Sequence, residues 1–304
     1  MTSKQFAKAF EASLPLPFGT EPHLEGALRH LLEHPGSLVR PRIVFEVARA
    51  FDVKDHASLE LALALEYFHT ASLVFDDLPC MDDAQQRRGA ACVHVKYGEA
   101  GGILAALALI NRAYALVWRA VSACSPNRQS QALAYLEQRL GPEGLLGGQS
   151  LDLHYSALPH DGATTGCVAL GKTVSLIRLT LVLPAMLGGA GVGELRCLER
   201  IALFWGLGYQ IVDDFKDVLE GTSTTGKSAA RDQALDRPNI VLAIGVAKAI
   251  GRLSRLLQLG EKALTRLQAL RPSLSFLQKL HADLQSEAAL ITESAHAVGG
   301  QARS

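Results

Sequence analysis

Asp-Asp-Leu-Pro-Cys-Met-Asp-Asp-Ala-Gln-Gln-Arg-Arg-Gly, residues 76–89, is the stretch around which the chain is organised. It places four carboxylates and two guanidinium groups directly after the apolar run at residues 71–75. Two carboxylates about 4 Å apart repel by roughly 4 kcal/mol at the effective dielectric of a protein surface, so a neutralising partner is expected. Clustered carboxylate oxygens suit Mg²⁺, and the adjacent Arg87 and Arg88 suit bidentate recognition of phosphate. For such a cluster alone, the alternative is a solvated, charged helix end.

A second acidic cluster, Gln-Ile-Val-Asp-Asp-Phe-Lys-Asp, lies at residues 210–217 near the end of another apolar helix. Asp213 and Asp217 are four residues apart and share one helix face, with Asp214 beside them. If the two apolar helices pack in parallel, the clusters face one another across the mouth of an apolar channel. Divalent ions held there would grip a diphosphate, and the channel would shelter a carbocation from water. The pair of clusters therefore indicates ionisation of an allylic diphosphate.

The composition of the 304-residue chain favours helix and excludes a bulk charge preference. Hydrophobic residues make up 48% and aromatic residues 6%, with leucine and alanine plentiful. Lys+Arg and Asp+Glu are equal at 30 each, so nothing indicates nucleic acid or an anionic membrane as a partner. The five cysteines show no CxxC spacing, and the N-terminus has no apolar signal core. We therefore expect a cytoplasmic protein with reduced thiols and no integral membrane segment.

Helical periodicity runs through almost the whole chain, without strand-like alternation of useful length. The expected fold class is all-α, as a single-domain helical bundle over residues 1–304. A long apolar helix at residues 57–75 delivers Asp76 and Asp77 at its C-terminal end, where the helix dipole disfavours carboxylates and a metal is the more plausible reason for them. Further helices are predicted at residues 4–13, 21–33, 41–51, 99–124, 128–155, 164–187 and 192–219, then from 232, from 238 and at 272–298.

The chain resembles the trans-isoprenyl diphosphate synthases (polyprenyl synthetases), and the resemblance covers most of its length. The family's first aspartate-rich motif, followed by Arg-Arg-Gly, is matched by Asp76, Asp77, Asp82, Arg87, Arg88 and Gly89. Its second motif is matched by Gln210, Asp213, Asp214 and Asp217. Further landmarks are matched by Glu66, His69, Thr70, Gly98, Glu99, Gly147, Gly148, Gln149, Asp152, Lys172, Thr173, Gly226 and Lys227. The resemblance implies an isoprenoid-synthase-type helical bundle around a deep apolar channel.

The resemblance also implies an activity and its partners. The protein would be a prenyltransferase that condenses an allylic prenyl diphosphate with isopentenyl diphosphate, head to tail and in the trans configuration. The steps would be ionisation, attack by the isopentenyl double bond, and proton loss to the released pyrophosphate. Three Mg²⁺ ions per active site and a homodimer are expected from the same resemblance.

Individual residues receive roles through this resemblance. The metal ligands would be Asp76, Asp77, Asp82, Asp213, Asp214 and Asp217. The allylic diphosphate would be held by Arg87, Lys172 and Lys227, with Thr173 and Gln210 supporting the ionised intermediate. The diphosphate of isopentenyl diphosphate would be bound by Arg88 and His94, and by Arg40 at the matching Arg-Pro pair. Taken singly, Lys227 or Arg88 could be a solvated charge, Thr173 a hydroxyl bonded within its helix, and His94 a surface histidine.

One segment departs from the family pattern. Where the family has Gly-Gly-Lys-Arg-x-Arg-Pro, this chain has Ser37 and Leu38 in place of the lysine and the first arginine. Two lost charge-assisted contacts of roughly 1.5–3 kcal/mol each would weaken the isopentenyl diphosphate site, unless Arg42, His34 or another cation substitutes. This departure keeps two alternatives open. They are terpene-synthase-like ionisation without isopentenyl addition, and a non-catalytic partner subunit of another synthase.

The residues before the first aspartate set the expected product length. In the family, bulky side chains one turn before that aspartate close the tail channel. Here Ala71 and Ser72 are small, and Phe68 lies about one turn deeper. The product is therefore predicted to be geranylgeranyl diphosphate (C20), or a longer one if Phe68 does not close the channel.

Overall fold

A computed structural model describes residues 3–14, 16, 19–223 and 237–301 of the chain. The described part is almost entirely helical, which confirms the all-α prediction. Contacts divide the chain into two compact units, residues 1–132 with 184–189 and residues 133–183 with 190–304. The single domain over residues 1–304 stays a prediction.

The first unit is built around one long, buried helix. Thirteen of the 22 residues of that helix are buried, as expected for a helix that is apolar on nearly all sides. It packs along the helices that precede and follow it, and two-residue strands pair antiparallel in a hairpin beside it. The elements are α1 (Ser3–Ser13), α2 (Pro22–Glu33), α3 (Val39–Ala50), α4 (Asp55–Asp76), β1 (Gln86–Arg87), β2 (Ala90–Ala91) and α5 (Val93–Ser122).

The second unit has a core where four of its helices meet. Phe215 and Val212 on one helix pack with Ile240, Leu253 and Ile291 on three others. The helices that lie wholly or for the most part in this unit are α6 (Pro126–Leu140), α7 (Leu145–Leu153), α8 (Gly162–Ala169), α9 (Ser175–Leu187), α10 (Val192–Ser223), α11 (Ile240–Ile244), α12 (Val246–Leu270) and α13 (Leu277–Gln301). Short 3₁₀ turns lie at Tyr155–Ala157 and Pro272–Leu274, and a π turn at Leu170–Val174 joins α8 to α9.

Several helix boundaries differ from those predicted, and glycines explain most of the differences. The helix predicted at residues 128–155 is two helices, α6 and α7, because the segment around Gly141 and Gly144 ends the first. The helix predicted from residue 238 is also two helices, separated at Gly245, whose φ of 83° suits glycine. Gly98 (φ 74°) interrupts α5, so the predicted start at residue 99 marks a kink within a longer helix. The helix predicted from residue 232 begins outside the described residues.

The helix predicted at residues 192–219 is confirmed as α10, and the aspartates of the second acidic cluster lie in its last three turns. The helix α10 continues past Asp217 to Ser223, so Asp213, Asp214 and Asp217 keep helical geometry. Their carboxylates therefore project at fixed angles from a rigid element.

Two helical segments in the described ranges, Val93–Ser122 and Gly162–Leu187, have the length and hydropathy that a membrane span would need. The core helices of water-soluble proteins meet the same criterion, so this finding is weak evidence for a span.

Candidate functional site

The loop after α4 brings the aspartates of the first motif to the end of that helix. The helix ends at Asp76, with Asp77 as its C-cap residue. The amide of Asp82 donates to the Asp76 carbonyl at 2.9 Å, and the amide of Ala84 donates to the Asp77 carbonyl at 3.1 Å. The loop therefore folds back on itself and returns Asp82 to the helix terminus, as the spacing of the motif requires for a shared metal.

Asp77 is paired with an arginine of the same motif. Arg87 Nε donates to Asp77 Oδ1 at 2.7 Å, and Asp77 is only 4% exposed. Burial raises the pKa of the Asp77 carboxyl, while Arg87 opposes that shift. Arg87, which is expected to bind the allylic diphosphate, is thus paired with Asp77, which is expected to bind a metal ion. Asp76 and Asp82 are only half-buried.

Arg87 and Arg88 lie on the β-hairpin formed by β1 and β2. Arg88 and Gly89 connect its strands, and both have positive φ, 53° and 78°. This is the geometry of a two-residue type I′ turn, which glycine adopts easily and arginine does not. Strain of this kind concentrates at functional sites. Here the turn aims the Arg88 side chain inward.

The guanidinium of Arg88 is held against the turn before α3. Its Nη1 donates to the carbonyl of His34 at 3.2 Å. A Cβ on Gly36 would lie 2.6 Å from Arg88 Cζ, so glycine is needed there for space as well as for its φ of 74°. In the same turn Ser37 is exposed, and Leu38 is buried at 4% exposure. The leucine therefore serves packing at the position where the family has a cation.

Arg40 and Arg88 converge on a buried carboxylate of α4. Arg40 Nη1 lies 4.0 Å from Glu66 Oε2, and Arg88 Nη2 lies 3.8 Å from Glu66 Oε1. Burial raises the pKa of Glu66 to about 7, although both arginines oppose the shift. His69 is half-buried, and its pKa is held well below the usual range by desolvation and by repulsion from the arginines.

Three buried polar atoms of α4 have no hydrogen-bond partner among the described residues. They are Glu66 Oε2, His69 Nδ1 and Thr70 Oγ1. Such atoms are rare in folded proteins and are often completed by a ligand or water. A pocket opens at Thr70, and its walls also include Asp77, Arg87, Arg88 and His34. The two arginines in its wall suit an anion.

Sequence reasoning matched Glu66 and His69 to the family without assigning them a function. A signal was present, because both residues are polar within a long apolar helix that leads to the aspartates. His94, expected in a loop, lies in the first turn of α5, and its Nδ1 is also without a partner in the described part of the chain.

The residues predicted to set product length lie on α4. Ala71 is fully buried, and the Ser72 hydroxyl donates to the His69 carbonyl at 2.8 Å. Phe68 is 5% exposed, and its ring meets Tyr114 of α5 edge to face with centroids 5.0 Å apart. Phe68 is eight residues from Asp76, so it lies about 12 Å along the helix from the aspartates.

In the second unit, a π turn positions Lys172 and Thr173. Single π turns within helices occur often at functional sites. The turn packs directly on α7, because a Cβ on Gly148 would lie 2.6 Å from the Cα of Gly171. Close packing of α7 against this turn therefore requires glycine at position 148. Lys172 Nζ lies 2.7 Å from Asp152 Oδ2, so Asp152 holds the lysine by an ion pair.

Thr173 and the second motif form a hydrogen-bonded chain within this unit. Thr173 Oγ1 donates to Gln210 Oε1 at 2.6 Å, and Gln210 Nε2 donates to Asp214 Oδ1 at 2.8 Å. The other oxygen of Asp214 accepts from the Ile240 amide at 2.6 Å. Asp214 is 2% exposed, and burial raises its pKa to about 7 against these hydrogen bonds.

The three aspartates of the second motif therefore differ in how accessible their carboxylates are to a ligand. Asp214 is committed to hydrogen bonds within the protein, whereas Asp213 is half-buried and Asp217 is exposed. The more accessible pair is better placed to reach a ligand. Lys227 and Gly226, both matched to the family, lie outside the described residues.

The donor atoms fit a hard cation. No group of three His, Cys, Asp or Glu side chains within the described residues is arranged to hold a metal ion by itself. Mg²⁺ does not require one, because it retains water and is commonly held by one or two carboxylates together with substrate phosphates. The half-buried Asp76 and Asp82 supply carboxylate oxygens of this kind.

Comparison with known proteins gives matches over most of the chain. A family model described as polyprenyl synthetase matches residues 21–270. The chain is 33% identical over 231 residues to the chloroplastic geranylgeranyl pyrophosphate synthase of Capsicum annuum, covering 75% of this chain and 63% of that protein. It is 33% identical over 243 residues to the geranylgeranyl diphosphate synthase of Pantoea ananas, covering 79% of this chain and 77% of that protein. The match thus spans less than two thirds of the Capsicum annuum protein.

The fold is also that of a solved structure. A geranyltransferase from Helicobacter pylori, in complex with magnesium and isoprenyl diphosphate, superposes with a TM-score of 0.73 at 23% identity. The match covers 96% of this chain and 96% of that chain. The helical architecture predicted from the sequence is therefore confirmed as an isoprenoid synthase fold.

Proposed function

The chain belongs to the polyprenyl synthetase family, and on that basis we propose that it is a Mg²⁺-dependent trans-prenyltransferase. Its reaction is condensation of an allylic diphosphate with isopentenyl diphosphate, and its product is geranylgeranyl diphosphate. The names of the Capsicum annuum and Pantoea ananas relatives support the substrate class. The magnesium and isoprenyl diphosphate in the Helicobacter pylori structure support the metal.

The observation that carries the proposal is the basic pocket beside α4. Arg88 and Thr70 line this pocket, and Arg40 and Arg88 both approach the buried carboxylate of Glu66 on the same helix. A diphosphate would satisfy the guanidinium N–H groups bidentately. We assign this pocket to isopentenyl diphosphate, with His69 added to the residues that sequence reasoning placed there.

The remaining site residues are proposed to act in the ionisation of the allylic diphosphate. Asp76 and Asp82 with Asp213 and Asp217 are the proposed metal ligands, with Asp77 and Asp214 supporting them through Arg87 and Gln210. Mg²⁺, three ions in this proposal, would supply the positive charge that makes the allylic diphosphate a good leaving group. Lys172 and Lys227 would bind the same diphosphate. The hydroxyl of Thr173 and the carboxamide of Gln210 would lie against the ionised tail.

The terpene-synthase-like alternative depends on the missing cations at Ser37 and Leu38. Arg40 and Arg88, held beside Glu66, still provide two guanidinium groups for an acceptor diphosphate, which favours acceptor binding over that alternative. The non-catalytic subunit is disfavoured because six matched aspartates and their hydrogen-bond partners are retained in sequence.

We also propose that the protein is a homodimer that pairs through α5. That helix exposes an apolar stripe, with side chains 40–61% exposed at Ile103, Leu104, Leu107, Tyr114 and Trp118. These positions share one helix face. A contiguous exposed apolar surface of this kind marks an interface in proteins that are stable in water. The cytoplasmic location stays a prediction, since the Capsicum annuum relative is chloroplastic.

Pyrophosphate release from farnesyl diphosphate, isopentenyl diphosphate and Mg²⁺ tests the proposed function. We expect release to require all three components. Asp76→Asn should abolish it, because a half-buried metal ligand is lost. Asp83→Asn is the matched control, since Asp83 lies exposed in the same loop and has no proposed role. Equal activity in the two variants would contradict the metal assignment.

A further inference from the structure

Glu66 is a buried carboxylate that the reaction itself does not use. It lies on α4 at 2% exposure, between the guanidinium groups of Arg40 and Arg88. Both separations, 4.0 and 3.8 Å, exceed hydrogen-bond length, so the contacts are ionic. Its Oε2 has no hydrogen-bond partner in the described ranges. A carboxylate buried in this way is costly, and a structural role alone would be served better by a neutral side chain.

We propose that Glu66 is a positioning residue that holds Arg40 and Arg88 together, aimed at the diphosphate of the acceptor substrate. The inference rests on the proposed function, since it concerns the isopentenyl diphosphate pocket. Two guanidinium groups that serve one diphosphate repel each other before it arrives. A carboxylate between them offsets this repulsion while leaving hydrogen-bond donors for the ligand.

The local backbone explains why such a residue is needed here. Arg40 lies in the first turn of α3, and Arg88 lies at a strained turn position with φ of 53°. Glu66 is on the rigid central helix, so it fixes both arginines relative to one element. With Ser37 and Leu38 contributing no cation, the acceptor pocket of this chain depends on these two arginines more heavily.

The Glu66→Gln variant tests the role, because glutamine keeps the shape and removes the charge. We expect the KM for isopentenyl diphosphate to rise several-fold, while the KM for farnesyl diphosphate and kcat at saturating acceptor stay unchanged. Thermal unfolding should show a fall in melting temperature, because the two arginines lose the carboxylate that offsets their repulsion, and the selective rise in the acceptor KM separates the positioning role from this loss of stability. Glu60→Gln is the matched control, because Glu60 lies on the same helix in an ion pair with Arg119, away from the pocket.

A double-mutant cycle tests whether Glu66 acts on the acceptor KM through Arg88. In an Arg88→Gln background, Glu66→Gln should raise the acceptor KM by clearly less than it does alone, because its partner is gone. An unchanged or lower acceptor KM in Glu66→Gln, or equal changes in both KM values, would overturn the proposal. If Glu66→Gln fails to fold, Glu66→Asp gives the same readout, because its shorter side chain holds the arginines less well. If the unmodified protein forms no elongated product, the proposed function fails rather than this inference.

Discussion

At the residue scale, three buried polar atoms without a described partner lie on one face of α4. They belong to Glu66, His69 and Thr70, three and four residues apart, and Arg40 and Arg88 approach Glu66 from two other segments. An ionised Glu66 can only accept hydrogen bonds, so an anionic ligand cannot complete its Oε2, whereas the guanidinium groups of the two arginines can donate to such a ligand. The arginines therefore account for the expected anion binding.

Phe68 is the residue expected to close the tail channel and thereby to set the product length. Substitution of Phe68 by alanine should shift the product from C20 to longer chains, because the ring is the first bulky group below the small Ala71 and Ser72. Chromatography of the dephosphorylated products measures the shift. Tyr114→Phe is the control, since it keeps the ring that packs against Phe68 at 5.0 Å. An unchanged distribution in Phe68→Ala would place the channel floor elsewhere.

The site residues could be predicted from the sequence where a motif fixes them, and not where burial does. The spacing of the first motif was sufficient to place Asp76 and Asp82 at one helix end. The role of Glu66 depends on contacts with Arg40 and Arg88, which lie 26 and 22 residues away in the chain and leave no local pattern. The hydrogen bonds of Asp214 could not be predicted from the sequence either, because one of their donors, the Ile240 amide, is distant in the chain. The other donor is the side chain of Gln210.

At the element scale, the turn before α3 and the β-hairpin act together to place Arg88. The turn supplies the His34 carbonyl that accepts from Arg88, and Gly36 supplies the space for its guanidinium. The hairpin in turn holds Arg88 in a left-handed conformation. Neither turn is rich in hydrophobic residues, so the arginine's position depends on these few contacts.

Gly36→Ala should raise the KM for isopentenyl diphosphate and lower stability. The new Cβ would lie 2.6 Å from Arg88 Cζ, and an alanine at φ 74° costs about 1–2 kcal/mol. Gly245→Ala is the matched control, since Gly245 has a similar φ of 83° but no described heavy atom within 4 Å of its added Cβ. Both variants should lose stability in thermal unfolding, but only Gly36→Ala should change the acceptor KM. The same KM change in both would show that strain alone is responsible.

The contact between α10 and α13 should make stability depend on pH. Trp205 Nε1 donates to His281 Nδ1 at 2.9 Å, which requires a neutral ring, and burial lowers the pKa of His281. Its Nε2 lies 3.0 Å from Glu261 Oε2 without hydrogen-bond geometry, and this carboxylate opposes the shift. The unfolded state then binds the proton more readily, so stability present above about pH 6.5 is lost as pH falls below it.

Thermal unfolding between pH 7.5 and about 5 measures this dependence. Compared with the unmodified protein, His281→Gln should show a shallower fall in melting temperature, because glutamine cannot take up the proton. Parallel falls in the two proteins would exclude His281 as the source.

Helix boundaries illustrate which elements sequence periodicity can locate. The long apolar helix α4 was predicted within two residues at each end, since its pattern is continuous. The predicted helix at residues 128–155 was wrong in its continuity, because Gly141, Pro142 and Gly144 separate α6 from α7. The hairpin at β1 and β2 is too short for any alternation to show.

At the scale of the whole molecule, the fold and the family are established, and the assembly is proposed. The family model covers residues 21–270, and the helical architecture matches a solved structure over 96% of the chain. The apolar stripe on α5 then remains as surface that neither unit's own core uses. Burial of such a stripe against a second copy would remove it from water.

Trp118→Glu should convert the homodimer to a monomer, because it places a charge in the proposed interface. Sedimentation velocity measures the mass. Leu146→Glu is the control, since Leu146 is 64% exposed on α7 and lies outside the stripe. A dimer that persists in Trp118→Glu, or dissociates equally in Leu146→Glu, would contradict the assignment of the interface to α5.

The protein is proposed to elongate a prenyl diphosphate. The fate of labelled isopentenyl diphosphate distinguishes this reaction from ionisation without isopentenyl addition. The purified protein is incubated with farnesyl diphosphate, radiolabelled isopentenyl diphosphate and Mg²⁺, and the products are separated by chain length. We expect label in geranylgeranyl diphosphate, and no labelled product when Mg²⁺ is chelated. Release of pyrophosphate with an unlabelled hydrocarbon or alcohol, or no turnover at all, would contradict it.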